Sequence, residues 1–171
     1  MVHNKIKNMR IFSLSLLLII YLFPSAGFSP VKEEKYFRVV RVLDGDTIEV
    51  IDDKDQTTRI RFDGIDAPEK SQAFGQKAKE YLASWVASKY VSLKVKEKDK
   101  YGRTIARVYL PTDTRVSINE RMVEAGFAWH YKQYSDDQKL ADLENAARKN
   151  KSGLWKDPNP MPPWEFRRLK K

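Results

Sequence analysis

The sequence predicts a mixed α+β chain whose main body is a small five-stranded β barrel with about three helices beside it. Two observations predict this. Five short runs, some alternating apolar with polar residues and the first rich in β-branched ones, are each bounded by Gly, Pro, Asp or other turn residues, the signature of half-buried strands. After the third run and again after the fifth, apolar residues recur every three and four positions, the signature of amphipathic helices. The 171 residues suit one domain with something extra, and 42% apolar residues suffice for a core.

The chain opens on Lys5, Lys7 and Arg10, follows with the apolar run IFSLSLLLIIYLF, and then presents Pro24, Ser25, Ala26 and Gly27. That order is expected of a signal peptide over 1–27, with the run short for a span of ~20 residues. The mature protein is expected to be secreted or periplasmic, with an uncleaved anchor in the inner membrane as the alternative. Residues 28–36 read as a short linker and 37–156 as the folded domain. Removing 1–27 takes three cations and no acid from a formal +9, leaving +6.

The first strand is predicted over 37–43, rich in β-branched residues. Asp44, Gly45 and Asp46 break it as a turn before the second strand, 47–51. A polar turn leads to the third, 57–62. Residues 71–88 carry Phe74, Ala78, Tyr81, Leu82, Trp85 and Val86 at helical spacing. Strands follow at 90–95 and 104–110, joined by a loop with Gly102. Ser117 with Glu120 and Ser135 with Gln138 predict capping boxes for two more helices, ending near Gly126 and Asn150. Leu154 and Trp155 read as hydrophobic anchors. Four prolines between 158 and 163 make 157–171 a stiff, basic tail. Five strands with a helix between the third and fourth suggest an OB-type barrel.

The chain has no cysteine and only two histidines, His3 and His130. Disulfides, thiol nucleophiles, thiolate metal sites, paired-histidine zinc sites and a serine–histidine triad are thereby excluded or starved of residues. Chemistry would fall to carboxylates, arginines and a hard, oxygen-ligated metal. The net positive charge favours a polyanion such as nucleic acid.

The densest chemistry lies in RFDGIDAPE, residues 61–69. Arg59 and Arg61 alternate with Ile60 and Phe62, so the guanidinium groups face away from the core. Gly64 and Pro68 end the strand and leave Asp66 and Glu69 on a loop. An arginine beside two carboxylates suits a phosphate oxygen and a divalent cation handled together. An EF-hand reading from Asp44 fails, because Ile48 and Glu49 stand where the loop needs a ligand and a glycine.

DGDT at 44–47, R-x-x-x-x-D-A-P-E at 61–69 and DKYGR at 99–103 stand in an order and spacing that closely resemble the staphylococcal nuclease (thermonuclease) family, over about 37–155. The resemblance implies an OB-fold barrel with helices and calcium-dependent hydrolysis of DNA and RNA with little sugar specificity. It implies Asp46 and Asp66 as calcium carboxylates, the Ala67 carbonyl as a further ligand, and Asp44 acting through water. Glu69 would be the catalytic carboxylate, with Arg61 and Arg103 the phosphate-binding arginines. Where the best-known member carries threonine this chain has Ala67, which loses a hydroxyl but not the carbonyl. Bases would stack near Lys100 and Tyr101, and near Tyr131 and Tyr134. A single-strand-binding OB module that does not cut, and a surface protein binding anionic polymers by charge, are the competing readings. Nucleic acid is the expected partner, no stable membrane partner is expected once the leader is gone, and a monomer is expected.

Overall fold

The structure, a computed structural model, describes residues 34–170. The leader assigned to 1–27 and most of the linker lie outside these residues. Seven strands run in order: β1 Tyr36–Val42, β2 Thr47–Ile51, β3 Thr57–Phe62, β4 Ile65–Asp66, β5 Tyr90–Lys98, β6 Thr104–Tyr109 and β7 Trp129–His130. Five of them close a barrel in the order β1-β2-β3-β6-β5, while β4 and β7 form a separate two-stranded ladder. Every neighbour in the barrel is antiparallel except β3 and β6, which run parallel with Ile60 opposite Thr104 and Arg61 opposite Ile105. The predicted α+β, OB-like barrel is therefore present, with the strands within a few residues of their expected limits.

Alternation decides which side chains enter the barrel. Ile48 and Val50, Ile60 and Phe62, and Ala106 and Val108 point inward and are buried. Helix α1, Gly75–Val86, lays Ala78, Leu82 and Val86 onto that core. Helices α2, Ile118–Glu124, and α3, Gln138–Lys149, add Met122, Val123 and Leu140.

The caps follow the sequence in one helix and depart from it in the other. Ser117 Oγ accepts from Glu120 N at 3.2 Å, as expected for α2. For α3 the cap is Asp137, whose Oδ1 accepts from Leu140 N at 3.1 Å, and not Ser135. Asp137 also pairs with Arg107 of β6. A carboxylate that meets a helix N-terminus and a guanidinium together outcompetes a neutral hydroxyl. Ser135 is left to His130, Oγ to Nε2 at 3.1 Å.

The last segment is also a correction. Residues 157–171 were expected as a stiff tail, but Pro163–Leu169 forms a fourth helix, α4, with Pro163 at its first position. Proline suits that position because its missing N–H has no helical partner there. Glu165 in the first turn and Arg167 and Arg168 in the last complement the helix dipole. The segment is fastened to the domain at several points. Trp164 lies parallel to Tyr131, ring centroids 5.4 Å apart, and edge-on to Trp129 at 5.5 Å. Gln72 Nε2 donates to Met161 O at 2.7 Å, and Lys170 Nζ to Ser71 Oγ at 2.5 Å. Beneath them Trp129, Ala147, Leu154 and Trp155 form a second apolar cluster.

Candidate active site

The site forms where the turn before β2 meets the turn after β3. Asp46 N donates to Asp44 Oδ1 at 3.0 Å, so the first turn is locked by its own side chain. Gly45 lies between them against α1: a Cβ there would come within 2.7 Å of the Ala67 Cβ and 2.8 Å of the Ala78 Cβ. This close approach brings the Asp46 carboxylate against the second turn. Its Oδ2 accepts from Ala67 N at 2.6 Å and its Oδ1 from Thr47 Oγ1 at 3.0 Å.

Asp66 comes from β4 and is 1% exposed. Its pairing with Trp129 of β7 fixes the backbone there. Arg61 joins the two acids. Its Nε lies 3.2 Å from Asp46 Oδ1, and its Nη2 donates to Asp66 Oδ1 at 2.9 Å. Its Nη1 donates to the carbonyls of Phe62 and Ile65 at 2.8 and 2.7 Å. Arg61 was expected to offer a fork to phosphate; most of that fork is engaged in holding the site together.

Glu69 stands on the loop between β4 and α1. The turn closes with Gln72 N donating to Glu69 O at 2.8 Å. Gly75 lets α1 begin directly on that turn, since a Cβ would overlap the Glu69 carbonyl. The Glu69 side chain is 41% exposed and meets a residue that the sequence reading did not include: Arg167 of α4. Arg167 Nη1 donates to Glu69 Oε1 at 2.8 Å and to Asp66 Oδ1 at 3.2 Å, and Nη2 donates to Asp66 Oδ2 at 2.8 Å. The signal that would have found it is the Pro-initiated helix PPWEFRRL; four nearby prolines masked it.

The DKYGR loop is a separate, self-contained unit. Asp99 Oδ1 accepts from the N–H groups of Tyr101 and Arg103, and Oδ2 from Arg103 Nε at 2.7 Å. Lys100 Nζ and the Arg103 guanidinium lie 5.2 and 5.6 Å from the centroid of the Tyr101 ring, which is 73% exposed. Arg103 immediately precedes β6, whose parallel register with β3 sets Thr104 opposite Ile60 and Ile105 opposite Arg61. Tyr131 and Tyr134 pack edge to face at 4.9 Å, and Trp164 covers Tyr131. Tyr134 remains largely exposed.

Burial disfavours the charged form of two carboxyls in the acid cluster. Burial, then the neighbouring charge of Asp46, pushes Asp44 up to about 6. Burial raises Asp66 too, against the hydrogen bonds and charge of Arg167 and Arg61. Tyr131 is raised by burial and by the nearby charge of Asp66, which places the tyrosine at the rim of the same cluster. Among the described residues no three acidic or histidine side chains converge as a ready metal shell. Two buried carboxylates that offer only hard oxygen donors nonetheless fit a divalent cation that keeps water or backbone ligands.

Comparison with known proteins adds an independent observation. Residues 59–157 match the family described as staphylococcal nuclease homologue. A protein from Escherichia coli O157:H7 called an uncharacterized endonuclease is 48% identical over 133 residues, covering 78% of this chain and 85% of that protein. The micrococcal nuclease of Shigella flexneri is 43% identical over 141 residues, covering 78% and 80%. An uncharacterized endonuclease of Haemophilus influenzae is 42% identical over 164 residues, covering 96% and 88%. With the barrel, the three motifs and a family match over more than half its length, this chain belongs to the staphylococcal nuclease family.

Proposed function

We propose that this nuclease is an exported, calcium-dependent enzyme that hydrolyses the phosphodiester bonds of DNA and RNA with little regard for the sugar. One observation carries the reading: Asp46 and Asp66, buried carboxylates from two separate turns, share Arg61, with Glu69 three residues beyond Asp66. Asp46, Asp66 and the Ala67 carbonyl would hold the calcium, and Asp44 would reach it through water. A bound calcium ion supplies Lewis-acid stabilisation of a phosphate oxygen and a flexible oxygen-ligand shell.

The remaining chemistry belongs to the chain. Glu69, partly exposed, orients a water toward phosphorus and accepts its proton as the new P–O bond forms. The old P–O bond breaks on the opposite side and the departing oxygen takes up a proton from solvent, while Glu69 returns its own to water. Arg103, with Nε on Asp99, turns the rest of its fork toward the charge growing on the equatorial oxygens. Tyr101, supported by Lys100, offers an exposed face for a base. Phosphate, not sugar, is what these groups address.

The test is digestion of plasmid DNA and of RNA by the purified protein with calcium or with a chelator, alongside calcium calorimetry. Asp46→Asn and Asp66→Asn keep the size of each side chain and part of its hydrogen bonding. Each is expected to weaken calcium binding and abolish cutting. Unchanged calcium affinity in both variants would overturn the metal assignment, and digestion that persists in chelator would overturn the dependence.

A further inference from the structure

We propose that Arg167 is a third active-site arginine, which orients Glu69 and binds the scissile phosphate from the Glu69 side. The inference rests on the nuclease reading and extends it to a residue outside the matched 59–157 segment. The cation against Glu69 is Arg167, at 2.8 Å, and the same fork takes both oxygens of Asp66. Arg61 sits deeper, 13% exposed, with Nη1 on two backbone carbonyls. The Arg167 side chain is 40% exposed, so unlike Arg61 it is accessible to a ligand arriving from solvent.

A planar guanidinium can hydrogen-bond a carboxylate along one edge and a phosphate oxygen along another, which fixes the two relative to each other. When Asp66 turns an oxygen to a cation, Arg167 gives up part of that pairing and keeps Glu69. Its charge is then available where negative charge builds on the substrate.

The alternative is a removable plug, a tethered cation that blocks the carboxylates until it is displaced. The packing argues against it. Trp164 is held between Trp129 and Tyr131, Pro163 is buried, and Gln72 and Lys170 tie both ends of the segment to the loop that carries Glu69. A plug needs a hinge and a weak contact; this helix is fixed to the same loop as the residue it touches.

The experiment compares wild type, Arg167→Ala and Arg167→Lys in single-turnover cleavage of a short oligonucleotide at saturating calcium. Binding of a nucleoside 3′,5′-bisphosphate, which has phosphates but no diester to cut, is measured by calorimetry. The Ala variant is expected to lose about 100- to 1,000-fold in rate, the usual cost of one transition-state donor. Its bisphosphate affinity is expected to fall severalfold, and a thermal melt checks that the variant is folded at the assay temperature. Lysine, a point charge, is expected to recover little of the rate, and added ethylguanidinium to restore part of the Ala variant's activity, which a merely structural role would not allow. If Arg167→Ala unfolds, Arg167→Gln is read in its place. A variant that cuts as fast as wild type, or faster, makes Arg167 a plug or a bystander and overturns the proposal. If wild type itself does not cut the oligonucleotide, the nuclease reading fails separately; unchanged bisphosphate affinity in the variant removes Arg167 as a phosphate ligand in either case.

Discussion

The two arginine-bearing regions of the site, the end of β3 with its following turn and the DKYGR turn, are built in opposite ways. The first is sunk into the molecule: Arg61 is held by two carboxylates and two carbonyls, and Asp66 is almost wholly buried. The DKYGR turn stands clear, folded around one aspartate of its own, with Arg103 more exposed and Tyr101 open to solvent. The difference separates the work. A charge that must not move is framed by the core, at the cost of tying its removal to stability. An accessible charge and ring, placed as the proposed polymer contact would need them, sit on a short hairpin folded around its own aspartate.

The largest effect expected is on rate, at a residue between the two designs. Glu69 is half in solvent, so Glu69→Gln should lower cleavage about 100- to 10,000-fold with the melting temperature nearly unchanged. Single-turnover kinetics and a thermal melt measure both; a wild-type rate would remove Glu69 from the chemistry.

Next comes the direct contrast of arginines. Arg61→Ala strands buried carboxylates and carbonyls and should cost about 3 kcal/mol of stability or more. Arg103→Ala breaks a more exposed pair and should cost less than about 1 kcal/mol while still lowering activity. Urea denaturation of the two variants reads the difference, and equal losses would erase the distinction between the turns.

The glycines sharpen it further. Gly45→Ala must push the Ala67 and Ala78 methyl groups apart, which should cost about 1–3 kcal/mol as overpacking and disturb calcium binding. Gly102→Ala meets nothing within 4 Å and pays only for its φ of 78°, roughly 1 kcal/mol. Denaturation curves and calcium titrations on both variants test the ranking.

The smallest effect concerns pH. Burial works against the Asp99 charge, but the hydrogen bonds from Arg103 and the turn N–H groups overcome it and hold the carboxyl below the ordinary carboxylate value. A depressed pKa means that the turn's contribution is present at neutral pH and is lost as pH falls through the carboxylate range and below. NMR shifts of Tyr101 and Gly102 should follow that titration, and Asp99→Asn should abolish it. Shifts that stay flat to low pH in wild type would separate the loop from its aspartate.

What the sequence could disclose follows the same divide. The barrel was legible because each strand reports its buried face through alternation within a single run, as in Ile60 and Phe62. The DKYGR turn was legible because its interactions are local, Asp99 to Arg103. Less legible were pairings between distant residues with no periodicity of their own. The β4–β7 ladder is two residues long on each side, too short to alternate. Asp137 displaced Ser135 as the cap of α3 only because Arg107, thirty residues earlier, faces it. Arg167 was hidden for the same reason: nothing near it in sequence says that residue 66 lies beneath it. Its helix carried a local signal, proline at the first position with acid early and base late, but the flanking prolines pointed to extended chain.

The parallel pairing of β3 and β6 also governs when this site can exist. A hairpin can form as soon as its two strands are made, but these strands are separated by β4, α1 and β5, which must be laid down before Arg61 and the strand that follows Arg103 share a sheet. Contacts so distant in sequence carry a loop-closure cost and tend to form late. The β1–β3 meander can assemble alone, yet by itself it holds only half of the machinery. A growing or partly unfolded chain therefore lacks the assembled candidate site, which needs first the closure of the barrel and then the docking of α4, the last element of the described chain.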